Sequence, residues 1–230
     1  MPLFEHEYGV AVTTVYTPSK TLLREIEHGA AIDVLLSAGV EEIESPYKNG
    51  LTLNGPPQVF AQTSLVLVMS ADSKETSLSL PEALSSHTTR IALGNPETSY
   101  LGEITTRELS KHYPMYKRHS HLLYASHSED ILHIIQTGKA DVGLVYRANL
   151  INTGYVRISD ETPIGSEVPI QFGEAVVSNC RASVRAFAKQ FSSLLMTPRI
   201  QFLLVKYGFI TSALSDRRYA RQARSPVPVP

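Results

Sequence analysis

The chain has 230 residues, 43% of them hydrophobic and 19% charged, a balance that excludes disorder, collagen and coiled coil as global descriptions. At roughly 150 residues per domain, the length allows one large domain or two small lobes. With 21 basic and 22 acidic residues the formal charge is −1, which implies no polyanion partner, and a single cysteine, Cys180, excludes an internal disulfide.

The first residues, Met1-Pro-Leu-Phe-Glu-His-Glu-Tyr, are acidic and lack the basic start and apolar stretch of an export signal, so none is expected here. Short runs rich in Val, Ile and Leu then alternate with segments of helical period, the pattern of parallel strands joined by crossover helices, and the class read from it is α/β. The expected strands are Val10 to Tyr16, Ile32 to Ser37, Ser64 to Met69, Arg90 to Leu93, Leu122 to Ala125, Val142 to Tyr146, Val156 to Ser159 and Pro169 to Ser178. Helices are expected between them. Thr17 to His28 places Leu22, Leu23 and Ile26 on one face, with Gly29 as a stop. Ser128 to Thr137 has Ser128 as its cap, Glu129 and Asp130 in the positively polarised first turn, and Gly138 at its end. Arg181 to Leu195 carries an apolar stripe through Val184, Phe187, Ala188, Phe191, Leu194 and Leu195. The longest aliphatic run, Leu65 to Met69, is far short of the ~20 residues a membrane helix needs. The final stretch, residues 217–230, holds Arg217, Arg218, Arg221 and Arg224 and then Ser-Pro-Val-Pro-Val-Pro, and is expected to be a mobile tail. Without it the body is acidic, so no nucleic-acid partner is expected.

No GxGxxG, GxxxxGK[ST], GxSxG or HExxH occurs, which lowers the expectation of an enzyme. His112, His119, His121, His127 and His133 cluster in sequence, and His119 and His121 would share a face on a strand. Acids or cysteines at ligand offsets are not evident, so surface histidines are expected there and no metal site. A different chemistry lies in the helix starts: Thr17-Pro18-Ser19, Asn95-Pro96 through Ser99 to Gly102, and Ser126-His127-Ser128. In an open α/β sheet such turns gather at the carboxyl ends of the strands, where ligands bind, and free amides there hold anions without a cationic side chain. The same residues also suit ordinary caps, which every α/β protein has.

Read as blocks, Ser19 through Ala38 resembles the first-lobe segment of the periplasmic molybdate-binding proteins of ABC transporters, members of the type II periplasmic-binding-protein family. The likeness continues in order through Ser64 to Val68, Arg90 to Pro96 with Gly102, Ser128 to Ile131, Gly138 to Tyr146, Pro169 to Val177 and Lys206 to Phe209. It implies a two-lobed fold, each lobe a mixed sheet flanked by helices, with residues 1–67 and 172–216 in one lobe and 68–171 in the other. It also implies a solute-binding protein, not an enzyme and without a cofactor, that captures a tetrahedral oxyanion in an interlobe cleft: molybdate or tungstate, with sulfate as a further candidate. Carried over by position, Ser19 would give its hydroxyl and backbone N–H, Leu101 and Ile131 their backbone N–H, and Tyr146 its phenolic O–H. Relative to the family, this chain starts inside the first helix, at Phe4 to Val10. One lobe would lack its first strand and a serine donor, Pro18 offers no N–H, and Lys20 brings a charge to the ligand. The partners implied are an ABC permease and, to complete the truncated lobe, a second copy of the chain. Location is periplasmic by resemblance and cytoplasmic if Met1 is the true start, in which case the chain would be a sensor or interaction module that keeps the fold without transport.

Overall fold

A computed structural model of the chain describes residues 1–151, 153–161, 163–164 and 170–211. In chain order it forms α1 (Pro2–Tyr8), α2 (Ser19–Glu27), β1 (Val34–Ser37), α3 (Val40–Lys48), β2 (Thr52–Thr63), β3 (Leu65–Ser70), α4 (Leu80–Ser85) and β4 (Ile91–Gly94). There follow α5 (Tyr100–His112), β5 (Leu122–Ala125), α6 (Ser128–Gln136), β6 (Val142–Tyr146), β7 (Val156–Asp160), β8 (Ile170–Val177), α7 (Arg185–Leu195) and α8 (Pro198–Lys206). The class is mixed α/β, as expected. The expected tail, residues 217–230, lies outside the described residues.

The chain folds as two compact units. One takes Met1–Ala61 and Gln171–Leu203, the other Gln62–Ile170 and Leu204–Ile210. The exchange therefore falls at Ala61/Gln62, ahead of the expected position after residue 67, because that position would cut β3, whose residues pair with β6 and β7 in a single sheet.

In the first unit the sheet has the order β1-β8-β2, with β1 antiparallel to β8 and Val34 opposite Val176. Its core is formed by Ile26 of α2, Leu35 of β1, Ile43 of α3, and Ala175 and Val177 of β8. Gly173 makes this packing work: a Cβ there would lie 2.9 Å from both the Ile43 Cδ1 and the Val40 Cα, so α3 seats directly on β8. The stripe predicted for α7 is real over part of its length, with Ala188 beside Val176 and Cys180. Sequence reading missed β2, because Gly55-Pro56-Pro57 reads as a turn; proline is tolerated at the end of a strand order, where β2 lies.

Val10 to Tyr16 is not a strand, contrary to expectation. Its β-branched residues carry the propensity, but a strand exists only with a ladder partner, and among the described residues none pairs with Thr13 to Tyr16. The Val12 amide turns instead to Glu5 Oε1 at 2.8 Å, while Val15 and Tyr16 are 64% and 88% exposed.

Glu174 of β8 is the buried acid of this unit, 2% exposed. Its Oε1 accepts the Ser192 hydroxyl at 2.5 Å, and Oε2 meets no donor among the described residues. Burial pushes its carboxyl above the usual range, and the Ser192 hydroxyl offsets that only in part. An acid whose folded pKa is raised holds a proton that the unfolded chain releases, so stability is full below about pH 4.5 and declines as pH climbs through the folded value. Urea midpoints measured from pH 4 to pH 8 are expected to fall with rising pH in the wild type and to lose most of that slope in Glu174→Gln; parallel curves would refute this.

The second unit has the order β5-β4-β6-β3-β7. β4 runs parallel to β5 and β6, whereas β3 is antiparallel to β6 and β7, so the all-parallel expectation holds only for β5, β4 and β6, at one side of the sheet. Every residue of β4 and β6 is buried, as befits strands covered on both faces. On one face Val142 and Leu144 pack with Leu109 of α5 and Leu80 and Ala83 of α4. On the other, Gly143 leaves room for α6: a Cβ there would lie 2.6 Å from Ile131 Cγ2 and 2.9 Å from Ile135 Cδ1. Arg90 braces β4 to the start of β6, donating to Asp141 from its backbone N–H at 2.7 Å and its guanidinium at 2.6 Å.

Candidate oxyanion site

The parallel register of β5, β4 and β6 sets Gly94 opposite Ala125 and Ala92 opposite Gly143, so all three strands end at one edge of the sheet. The starts of α5 and α6 and the side chain of Tyr146 belong to that edge, the ligand-binding edge of open α/β sheets.

The approach to α5 is built by Asn95. Its amide donates to Ala125 O at 2.8 Å, its carbonyl accepts from Ser99 N at 3.0 Å, and its Oδ1 accepts from Glu97 N at 2.9 Å. Ser99 caps the helix: its Oγ donates to Asn95 O at 3.1 Å and accepts from Gly102 N at 3.2 Å. Two glycines permit this fold-back. A Cβ on Gly94 would stand 2.7 Å from Gly102 N, and one on Gly102 would overlap the Asn95 carbonyl and the Pro96 nitrogen. The Leu101 side chain is buried at 4% exposure, and its N–H has no acceptor among the described residues.

At α6 the cap is His127 rather than the expected Ser128, one residue earlier, because Asp130 closes a capping box with His127. Asp130 Oδ2 accepts the His127 amide at 3.1 Å. The Ile131 N–H is consequently inside the helix and donates to His127 O at 3.3 Å, near the limit of a hydrogen bond. The first-turn amides without an acceptor among the described residues are those of Ser128 and Glu129, which the sequence reading missed. A cap shifted by one residue moves every free amide with it, and the capping side chain was a histidine, a type the usual cap preferences do not favour. Tyr146 ends β6 opposite Leu65 and is 7% exposed.

Ser19 belongs to the first unit. It is the first helical residue of α2, with Pro18 as cap, and its hydroxyl donates to Glu42 Oε1 at 3.0 Å. Leu101, Ile131 and Tyr146 thus share one sheet edge of the second unit, while Ser19 stands at a helix start of the first.

The histidine cluster supplies no competing site. His119 and His121 lie in the loop before β5 rather than on a strand. His119 Nδ1 accepts the His121 amide at 3.2 Å and its Nε2 meets Ser86 O at 3.0 Å. No group of three or more His, Cys, Asp or Glu suited to a metal is found among the described residues. A depression of about 580 Å³ in the second unit, lined by Ser70, Lys74, Thr88, Arg90, Gln136 and Asp141, opens at the opposite ends of β4 and β6, away from the free amides. No helix among the described residues is long and apolar enough to cross a membrane.

The molybdate-binding protein ModA of Escherichia coli is 25% identical over 211 residues, 90% of this chain and 80% of that relative. The solved periplasmic molybdate-binding protein of Azotobacter vinelandii superposes with a TM-score of 0.75 at 23% identity, covering 91% of each chain. The sulfate-binding protein SubI of Mycobacterium tuberculosis superposes with a TM-score of 0.77 at 18% identity, covering 100% of this chain and 86% of that one. These two structures establish the fold, that of the periplasmic binding proteins. All three are named for binding rather than for a reaction, and this chain too is a binding protein, not an enzyme. A family model matches residues 1–210, and the chain belongs to the bacterial extracellular solute-binding proteins.

Proposed function

We propose that the chain captures a small tetrahedral oxyanion, molybdate or tungstate ahead of sulfate, outside the cytoplasmic membrane for an ABC importer. The observation that carries the reading is the edge where β4, β5 and β6 end, with the amides of Leu101, Ser128 and Glu129 open to an acceptor and Tyr146 among them. A dianion is stabilised there by neutral donors, at about 1.5–3 kcal/mol for each charge-assisted hydrogen bond, and fixed dipoles avoid burying a counter-charge. The donors proposed on this edge are the amides of Leu101, Ser128 and Glu129, the Tyr146 hydroxyl and the Ile131 amide, whose long bond to His127 is shared with the ligand; the Ser19 hydroxyl and amide, in the first unit, are proposed from the resemblance, and the hydroxyl must there turn from Glu42 to the ligand. The likeness to a molybdate-binding relative supports the ligand class, and the extracellular character of the family supports import over a cytoplasmic sensor. The partner this role requires is the importer's permease.

Isothermal titration with molybdate, tungstate and sulfate tests the reading, and binding of none of them removes it. Tyr146→Phe deletes one donor; affinity is expected to fall about ten- to a hundredfold with the unfolding midpoint kept. Undiminished affinity would take Tyr146 out of the site.

A further inference from the structure

We infer that the side chain of Ser128 is itself a ligand group, so that one residue at the start of α6 meets the oxyanion with its amide and its hydroxyl together. The inference rests on the reading above that this sheet edge holds the oxyanion. Sequence reading places the cap of α6 at Ser128, and a cap spends its side-chain oxygen on the amides of its own helix. The structure moves the cap to His127. Ser128 is thereby the first helical residue, and its hydroxyl makes no bond to the backbone of α6 among the described residues. That hydroxyl donates instead to Glu129 Oε2 at 3.3 Å, well beyond the roughly 2.5–2.7 Å usual for a hydroxyl on a carboxylate, and the pair is exposed to solvent.

A hydroxyl held by so long a bond gives up little when it turns to another acceptor, and a short bond to a dianion is of the stronger, charge-assisted kind. The amide of the same residue has no acceptor among the described residues. Its nitrogen and Oγ are joined through Cα and Cβ alone, so both can meet neighbouring oxygens of one tetrahedral ion, and the open amide of Glu129 follows directly in the chain. A serine at this place adds a donor without adding a charge, which suits an edge whose other donors are neutral. The resemblance did not mark it: from α6 it carried over only the Ile131 amide, and no side chain.

Titration with sodium molybdate, with thermal unfolding alongside, compares the wild type with Ser128→Ala, Ser128→Thr and Glu129→Ala. Ser128→Ala keeps the amide and deletes the hydroxyl; its affinity is expected to be about tenfold lower at an unchanged unfolding midpoint, and an affinity within about threefold of the wild type overturns the inference. Ser128→Thr keeps a hydroxyl and is expected to recover most of that loss; a threonine no better than alanine overturns it too. Glu129→Ala separates a ligand role from a structural one. If the bond between Ser128 and Glu129 merely holds the turn, removing its acceptor must cost as much affinity as removing its donor, and that result overturns the inference. If the hydroxyl serves the ligand, the released proton and the lost negative charge are expected to raise affinity about threefold or more. A wild type that binds none of molybdate, tungstate and sulfate removes the functional reading and this inference with it; with wild-type binding intact, the outcomes above bear on Ser128 alone.

Discussion

Gly102→Ala is expected to destabilise the second unit by about 3 kcal/mol, although alanine is the better helix former by about 1 kcal/mol. The added methyl would occupy the place of the Asn95 carbonyl and the Pro96 nitrogen, both backbone, so no side chain can rotate out of its way. The turn must open or α5 must slide, and either moves the Leu101 amide off the end of β4. Urea unfolding should therefore show a lower midpoint, and oxyanion binding, read by titration below that midpoint, should be lost with it. Gly154→Ala is the matched control. A Cβ at Gly154 meets nothing within 4 Å, and the variant is expected to stay within about 0.5 kcal/mol of the wild type. Equal behaviour of the two variants would show that the start of α5 yields more readily than its backbone contacts allow.

Ile43→Ala is expected to cost about 2–5 kcal/mol, from the lost burial of three methyl or methylene groups and the cavity left behind. The side chain is fully buried and lies over Gly173, where the strand offers no atoms of its own to fill the gap. The first unit has only a three-stranded sheet among the described residues, so few neighbours can collapse inward. Hydrogen exchange separates this loss from a general one: amides of α2, β1, α3 and β8 should lose protection, while those of β4, β5 and β6 keep theirs. Uniform loss across both sets would mean that the two units unfold as one.

The strands of the second unit were legible because each is a short apolar run closed by turn residues, and β5 and β6 match their expected limits. The first unit was less so. Val10 to Tyr16 has the composition of a strand, but composition does not reveal whether a neighbour exists to receive its hydrogen bonds. β2 failed for the opposite reason, since two prolines concealed a strand at the end of the order. At the site, helix starts could be located from sequence, and the free amide at Leu101 follows from an ordinary serine cap. Which amide is free at α6 could not, because the choice between His127 and Ser128 as cap turns on the side chain of Asp130. The Ser19–Glu42 bond was invisible for want of any local signal linking two helices.

The exposed run from Val10 to Tyr16 also has a practical consequence. Residues rich in Val and Thr, exposed from Thr13 to Tyr16 and engaged by no ladder among the described residues, are a ready template for any other open strand margin in solution. Concentrated preparations should thicken or precipitate first through this stretch, and a lysine in place of Val15 should keep them clear.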